Sequence, residues 1–195
     1  MLLNQFDCIE RIDQLSLWKF YIPLSNLERA GWVRHWIENP ETVAQHSISS
    51  ALMVSQMFRK EIEAIGANII ILQDTLLIHD IHEPRTEGKD ITPHDNIDSK
   101  EKKRREMEAI QEILGDKPHL LKLWLDFEEW RNPDWRLAKE IDKFQAIFIA
   151  RKYENKYRIL WLIEEFYSNA VIKKQQITTN FLVQAAVEIY NNKTR

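Results

Sequence analysis

The stretch NIIILQDTLLIHDIHE, residues 68–83, decides the fold. It is apolar nearly all round, the pattern of a helix in the middle of a bundle rather than at its surface. Pro84 follows it; its ring clashes with the carbonyl four residues back and restrains Glu83 from helical geometry. The reading is a central helix from Asn68 to Glu83 with His79 and Asp80 near its end.

Outward from this segment the apolar residues recur at intervals of three and four rather than two, with only 4 glycines and 6 prolines as punctuation. That is the helical period, and it predicts an all-α chain. Asn39-Pro40-Glu41 carries the marks of a helix start, with a capping side chain, a proline at the first helical position and an acid facing the positive helix end. A helix is expected from about Pro40 to Ile65, burying Val43, Ser47, Ala51, Val54 and Phe58, with His46 beside that stripe. After a loop-like stretch to about Ile97, Asp98 and Glu101 are placed as a capping pair before KKRREMEAIQEIL, with Gly115 behind it. Further helices are expected over Lys117–Arg131, Pro133 to about Glu154, Arg158 to about Lys173 and Thr178–Asn191, and one or two short ones within the first thirty residues.

At 195 residues the chain can bury a full core, and a single domain over 1–195 is the expectation. The hydrophobic and charged fractions, 44% and 29%, are those of an ordinary folded protein. A formal net charge of -3 argues against polymeric nucleic acid as partner, because such binding rests on clustered cations. Cys8 is the only cysteine, so a metal would have to sit on histidine and carboxylate. The start MLLNQFDCIE lacks the basic and apolar order of a secretion signal, and nowhere do roughly 18 uncharged apolar residues run together. A cytoplasmic protein without membrane contact is expected.

The chemistry centres on His79-Asp80 at the end of the most apolar segment. An ionised carboxylate in such surroundings must be paired or bound to a cation, since isolation costs several kcal/mol or shifts its protonation. Imidazole and carboxylate are donors that borderline and hard divalent ions accept. The dipeptide alone is weak evidence, because a hydrogen-bonded core pair explains it equally well. His46 on its small, apolar helix face and Asp142 within LAKEIDKFQAIFIA add to it, each with a bland counterpart: a histidine satisfied by a carbonyl, an aspartate paired with an arginine. Glu83 follows Asp80 by three and His79 by four, which on one helix puts it on their face as a candidate proton acceptor. Two imidazoles and two carboxylates leave room for water on a six-coordinate ion, the character of a catalytic site.

The order His46, His79-Asp80, Asp142 resembles the HD-domain superfamily of metal-dependent phosphohydrolases. The stretches RAGWV, NPETVAQHS, LLIHDIHE, DITP and FEEWRNPDWRLAKEIDKFQAI resemble its 5'-deoxynucleotidase branch, the YfbR-like and HDDC2-like proteins, over roughly residues 20–155. The resemblance implies a helical HD fold with the metal site between central helices and the C-terminal helices, 156–191, packing on that core. It also implies a homodimer that hydrolyses deoxynucleoside 5'-monophosphates to deoxynucleoside and phosphate. It puts one divalent ion (Mn, Co, Fe, Zn, Ni or Mg) on His46, His79, Asp80 and Asp142, the catalytic acid on Glu83 beside Asp80, and substrate contacts on Arg29, Trp32 and Asp90. An arginine can fork onto phosphate, a tryptophan can stack on a base, and an aspartate can accept from a sugar hydroxyl.

Two stretches depart from the branch. PRTEGK, residues 84–89, is longer than its counterpart and adds Arg85 and Lys89, and His35 stands where an arginine is usual. The added cations open an alternative, a nucleotide pyrophosphohydrolase or phosphodiesterase on the same site; a non-catalytic metal-containing regulatory module ranks lower. His94-Asp95 reads as a polar loop tip, His82 as a neighbour of the ligands, and His119 carries no role. Lys102 to Arg105, balanced by Glu101, Glu106 and Glu108, reads as a solvated helix face, and the tryptophans as core or dimer-interface residues.

Overall fold

Trp18–Leu24 (α1) and Ala30–Arg34 (α2) are the first helices of the computed structural model, which describes residues 17–85, 98–129, 133–159 and 161–192. They are followed by Val43–Leu52 (α3), Arg59–Ala64 (α4), Ile69–Ile78 (α5), Ser99–Leu114 (α6), Pro118–Glu129 (α7), Pro133–Tyr157 (α8), Leu162–Tyr167 (α9) and Asn180–Asn191 (α10). Among the described residues the only extended pairing is an isolated bridge between Glu28 and Thr42, so the chain is all-α as expected. No helix among them is long and apolar enough to cross a membrane.

Several helix ends differ from expectation for local reasons. Asn39 does not cap a helix: it sits at φ 51°, and Thr42 and Gln45 form the reciprocal cap of α3, with Gln45 N–H donating to Thr42 Oγ1 at 3.2 Å and Thr42 N–H to Gln45 Oε1 at 2.8 Å. The helix expected up to Ile65 is broken by a π-turn at Met53–Met57, closed by Phe58 N–H on Met53 O at 2.9 Å. The expected stripe is nevertheless buried from Val43 through Ser47, Ala51 and Val54 to Phe58.

The central helix opens as expected, with Asn68 accepting from Ile71 N–H at 3.1 Å. It stops at Ile78, five residues before Glu83. The indole N–H of Trp124 takes the His79 carbonyl at 3.0 Å, the acceptor that the Glu83 amide would have used in a continuing helix. Pro84 has no N–H to claim the Asp80 carbonyl, and the Glu83 amide donates there at 3.1 Å. Glu83–Arg85 thus becomes a 3₁₀ turn instead of the last turn of α5.

Asp98 caps α6 by accepting from the amides of Lys100 and Glu101 at 3.0 and 3.1 Å. The Glu101 carboxylate turns to Arg104 and Arg105 instead, which hold its pKa down to about 2 on a solvated face. The helix expected over Arg158 to about Lys173 is split into α9 and a π-turn at Ser168–Lys173.

The chain groups into two compact units, one from Met1–Gln45 with Asp80–Leu121, the other from His46–His79 with Lys122–Arg195. In the first, α1 meets the 3₁₀ turn, where the Arg85 guanidinium lies 5.6 Å from the centre of the Phe20 ring. In the second, α8 is the spine, packed by α5, α9, α10 and the first π-turn. Its buried face includes Ala138, Ile141, Phe144 and Ile147, and Phe144 meets Phe58 edge-on with ring centres 5.1 Å apart. Full burial of such side chains stabilises by about 1.5–3 kcal/mol each, so the backbone positions of Asp142 and Gln145 are set by the apolar residues between and around them.

Candidate metal centre

Within the second unit three expected donors come together. His46 is on α3, His79 caps the C-terminus of α5, and Asp142 is on α8; they are 0%, 3% and 7% exposed. Asp142 Oδ1 lies 2.9 Å from His46 Nε2 and 3.9 Å from His79 Nε2, and the two imidazole centres are 5.4 Å apart. Among the described residues a lysine and not an arginine accounts for Asp142: its other oxygen, Oδ2, accepts from Lys143 Nζ at 2.8 Å. Burial pushes the Asp142 carboxyl up, but Lys143 and the imidazoles of His46 and His79 outweigh it and hold the pKa well below the usual carboxylate value. Asp142 is therefore an anion at neutral pH.

Each imidazole is oriented through its Nδ1. His79 Nδ1 is 2.8 Å from the Leu76 carbonyl, which can only accept, so Nδ1 carries a proton and, in the neutral ring, Nε2 offers a lone pair. Phe127 stands edge-on to the His79 ring at 5.6 Å, and Trp124 fixes the His79 carbonyl. His46 Nδ1 is 2.7 Å from Gln145 Oε1, three residues beyond Asp142 on α8. With neutral imidazoles, two Nε2 lone pairs and an ionised carboxylate oxygen face one another in a buried place, and a proton on an imidazole or a bound metal cation reconciles them. The donor set fits a divalent ion of the borderline to hard class.

Asp80, peptide-bonded to His79, belongs to the first unit. Its Oδ2 accepts from Arg29 Nη1 at 3.2 Å, both side chains being mostly buried. Burial, and then the Asp80 charge, push the Tyr21 phenol up, so Tyr21 stays protonated beside this pair. Glu83 is buried in the 3₁₀ turn. Trp32 is 2% exposed and donates its indole N–H to Glu41 Oε1 at 2.8 Å, which pins the ring in the core of the unit. His82 Nε2 lies 3.6 Å from Glu106 Oε1; burial pushes Glu106 up, but His82 and Lys102 prevail and lower its pKa. Arg85 pairs with Glu112 at 3.0 Å. Asp90, Lys89, His94 and Asp95 lie outside the described residues. His119 is exposed.

Sequence reasoning passed over Gln145, Ser49, Lys143 and Tyr21. Gln145 carried a faint signal, as an uncharged polar side chain on the apolar face of α8, three residues from Asp142. Nothing in the chain's linear order linked Ser49 or Tyr21 to the donors.

The HD domain family matches residues 23–181. The 5'-deoxynucleotidase HDDC2 of Dictyostelium discoideum is 32% identical over 148 residues, covering 72% of this chain and 77% of the relative. The 5'-deoxynucleotidase hdd1 of Schizosaccharomyces pombe is 30% identical over 155 residues, covering 73% and 75%. A conserved hypothetical protein from Pyrococcus furiosus shares the fold with a TM-score of 0.72 at 22% identity, over 90% of this chain and 98% of that one. With the family pattern spanning the chain from α1 into α10, the protein belongs to the HD domain family.

Proposed function

We propose that this protein is a metal-dependent 5'-deoxynucleotidase, hydrolysing deoxynucleoside 5'-monophosphates to the deoxynucleoside and phosphate. The observation that carries the reading is Asp142 Oδ1 facing Nε2 of two buried histidines, one of which is fixed with its proton on the opposite nitrogen. His46, His79 and Asp80 can each give one donor atom to a metal ion, and Asp142 is proposed as the fourth ligand. The relatives named 5'-deoxynucleotidase support the substrate class.

A divalent ion in such a donor set supplies Lewis acidity, lowering the pKa of water and polarising a phosphoryl oxygen. The chain's own groups do the rest. Glu83, three residues beyond Asp80, is proposed to take the proton as the water oxygen forms its bond to phosphorus and the phosphorus–O5' bond breaks; the proton then passes to the leaving oxygen. Arg29 is proposed to hold a phosphate oxygen from its place on Asp80, and its planar fork suits that geometry. Trp32 is proposed to wall the substrate site rather than stack on a base, in keeping with its burial, and Asp90 to meet the sugar. The resemblance also underlies two further parts of the proposal, a homodimer and a cytoplasmic setting, the first testable by light scattering. The pyrophosphohydrolase alternative drew on Arg85 and Lys89 as surplus cations, and Arg85 is balanced by Glu112.

The test is phosphate release from a panel of deoxynucleoside and ribonucleoside monophosphates, di- and triphosphates with each divalent metal, run beside Asp80→Ala and Glu83→Ala. Phosphate release from the deoxymonophosphates is expected, with Asp80→Ala losing metal and turnover and Glu83→Ala keeping metal while losing about 10²–10⁴ in rate. Pyrophosphate or a nucleotide as product would replace this reading with the alternative.

A further inference from the structure

His46 sits at the head of a closed circuit of hydrogen bonds. The Ser49 hydroxyl lies 3.0 Å from the His46 main-chain carbonyl. A carbonyl can only accept, so Ser49 donates there and its oxygen is left to accept. Gln145 Nε2 donates to that oxygen at 2.9 Å. The amide is thereby oriented with Oε1 toward His46 Nδ1 at 2.7 Å, and Nδ1 must be the donor. The direction of every bond follows from the one member of the circuit that cannot donate. Gln145 and His46 are both fully buried, so water does not compete for the bond between them.

We propose that Gln145 and Ser49 are positioning residues that lock His46 in its Nδ1–H tautomer, aiming a basic Nε2 at the metal position beside Asp142; this rests on the metal-centre reading above. The lock is compact, because Asp142 and Gln145 are three residues apart on α8 and Ser49 is three beyond His46 on α3, so each pair shares a helix face. One face of α8 thus reads both ring nitrogens of one histidine, Gln145 at Nδ1 and Asp142 at Nε2. The acceptor on Nδ1 is a neutral amide. A carboxylate there would raise the basicity of Nε2 further, so the chain holds His46 in place without raising its donor strength to the maximum.

The experiment is calorimetric titration of metal-free protein with Mn²⁺ and with Co²⁺, with the visible spectrum of the Co²⁺ form as a second readout. It compares wild type with Gln145→Met, Gln145→Glu and Ser49→Ala, folding being verified by circular dichroism. Loss of the second-sphere acceptor in Gln145→Met is expected to weaken binding by about 10–100-fold and shift the Co²⁺ spectrum. Gln145→Glu should restore affinity to the wild-type level or above, which a purely packing role would not do. Ser49→Ala should fall between wild type and Gln145→Met. Wild-type protein that takes up neither ion would overturn the metal-centre reading itself. Wild type that binds while Gln145→Met binds equally well, or while Gln145→Glu is no tighter than Gln145→Met, would overturn the lock alone. Should Gln145→Met fail to fold, undiminished affinity in Ser49→Ala would overturn the lock in its place.

Discussion

Replacing Glu140 with alanine should loosen α10 from α8 without touching the donors. Glu140 points away from the metal centre with its side chain 1% exposed. Its Oε2 accepts from the amides of Thr178 and Thr179 at 3.1 and 2.7 Å, and its Oε1 from the Thr178 hydroxyl at 2.9 Å and Arg136 Nε at 3.0 Å. Thr179 is the N-cap residue of α10, yet its own side chain makes no capping bond, so the carboxylate arriving from α8 does the capping. Loss of a cap costs about 1 kcal/mol, and a hydrogen bond to a charged acceptor about 1.5–3 kcal/mol. Thr178 is exposed, so water recovers most of what its two bonds lose. What remains is the Thr179 amide bond, which is itself the cap, roughly 2 kcal/mol. For a chain of this size that is a fall in Tm of about 4–8 °C. Urea unfolding followed by circular dichroism measures it, on metal-free protein so that ligation does not mask the loss. Glu140→Gln, which keeps the volume and one acceptor oxygen, should fall between. A loss under about 1 kcal/mol for Glu140→Ala would mean that the buried carboxylate is as costly to desolvate as it is useful, and the reasoning would fail.

With the ion removed by chelation, the Asp142 carboxyl, held below its unfolded value of about 3.9, contributes stability that is fully present above that pH and is lost as pH falls through the folded pKa. Urea melts between neutral pH and pH 2 should therefore show a steeper acid decline for wild type than for Asp142→Asn; parallel curves would contradict the depressed pKa. Trp124→Phe removes the donor from the His79 carbonyl and should cost about 1 kcal/mol of stability by urea titration. Arg29→Met should lower kcat/KM for a monophosphate by about 30-fold, the equivalent of a charged hydrogen bond of about 2 kcal/mol, as measured by phosphate release at saturating metal.

The helices were legible because their signals are local. Asn68, Asp98 and the period of three and four set starts and faces that the structure repeats, and the stripe from Val43 to Phe58 is buried residue for residue. The ends were less so: the start of α3 is taken by the local Thr42–Gln45 cap in place of Asn39, and the end of α5 depends on a partner distant in the chain and on competition between neighbouring amides. Pro84 suggested a helix running to Glu83, but the His79 carbonyl is taken by an indole 45 residues away, and the Glu83 amide settles on Asp80. Nothing in residues 68–84 records that Trp124 will be there.

The same distinction separates the donors from the groups that aim them. His46, His79 and Asp142 stood out because charged or titratable side chains on apolar helix faces demand an explanation, and burial makes the demand stronger. Gln145 makes no such demand, since an amide is cheaper to bury, and its function appears only when its two ends are seen to meet different partners, His46 on one and Ser49 on the other. A residue that acts by direction rather than by charge is therefore the one a single sequence conceals. That holds for His79 too, where the Leu76 carbonyl, a main-chain group with no sequence signature at all, sets the proton on Nδ1.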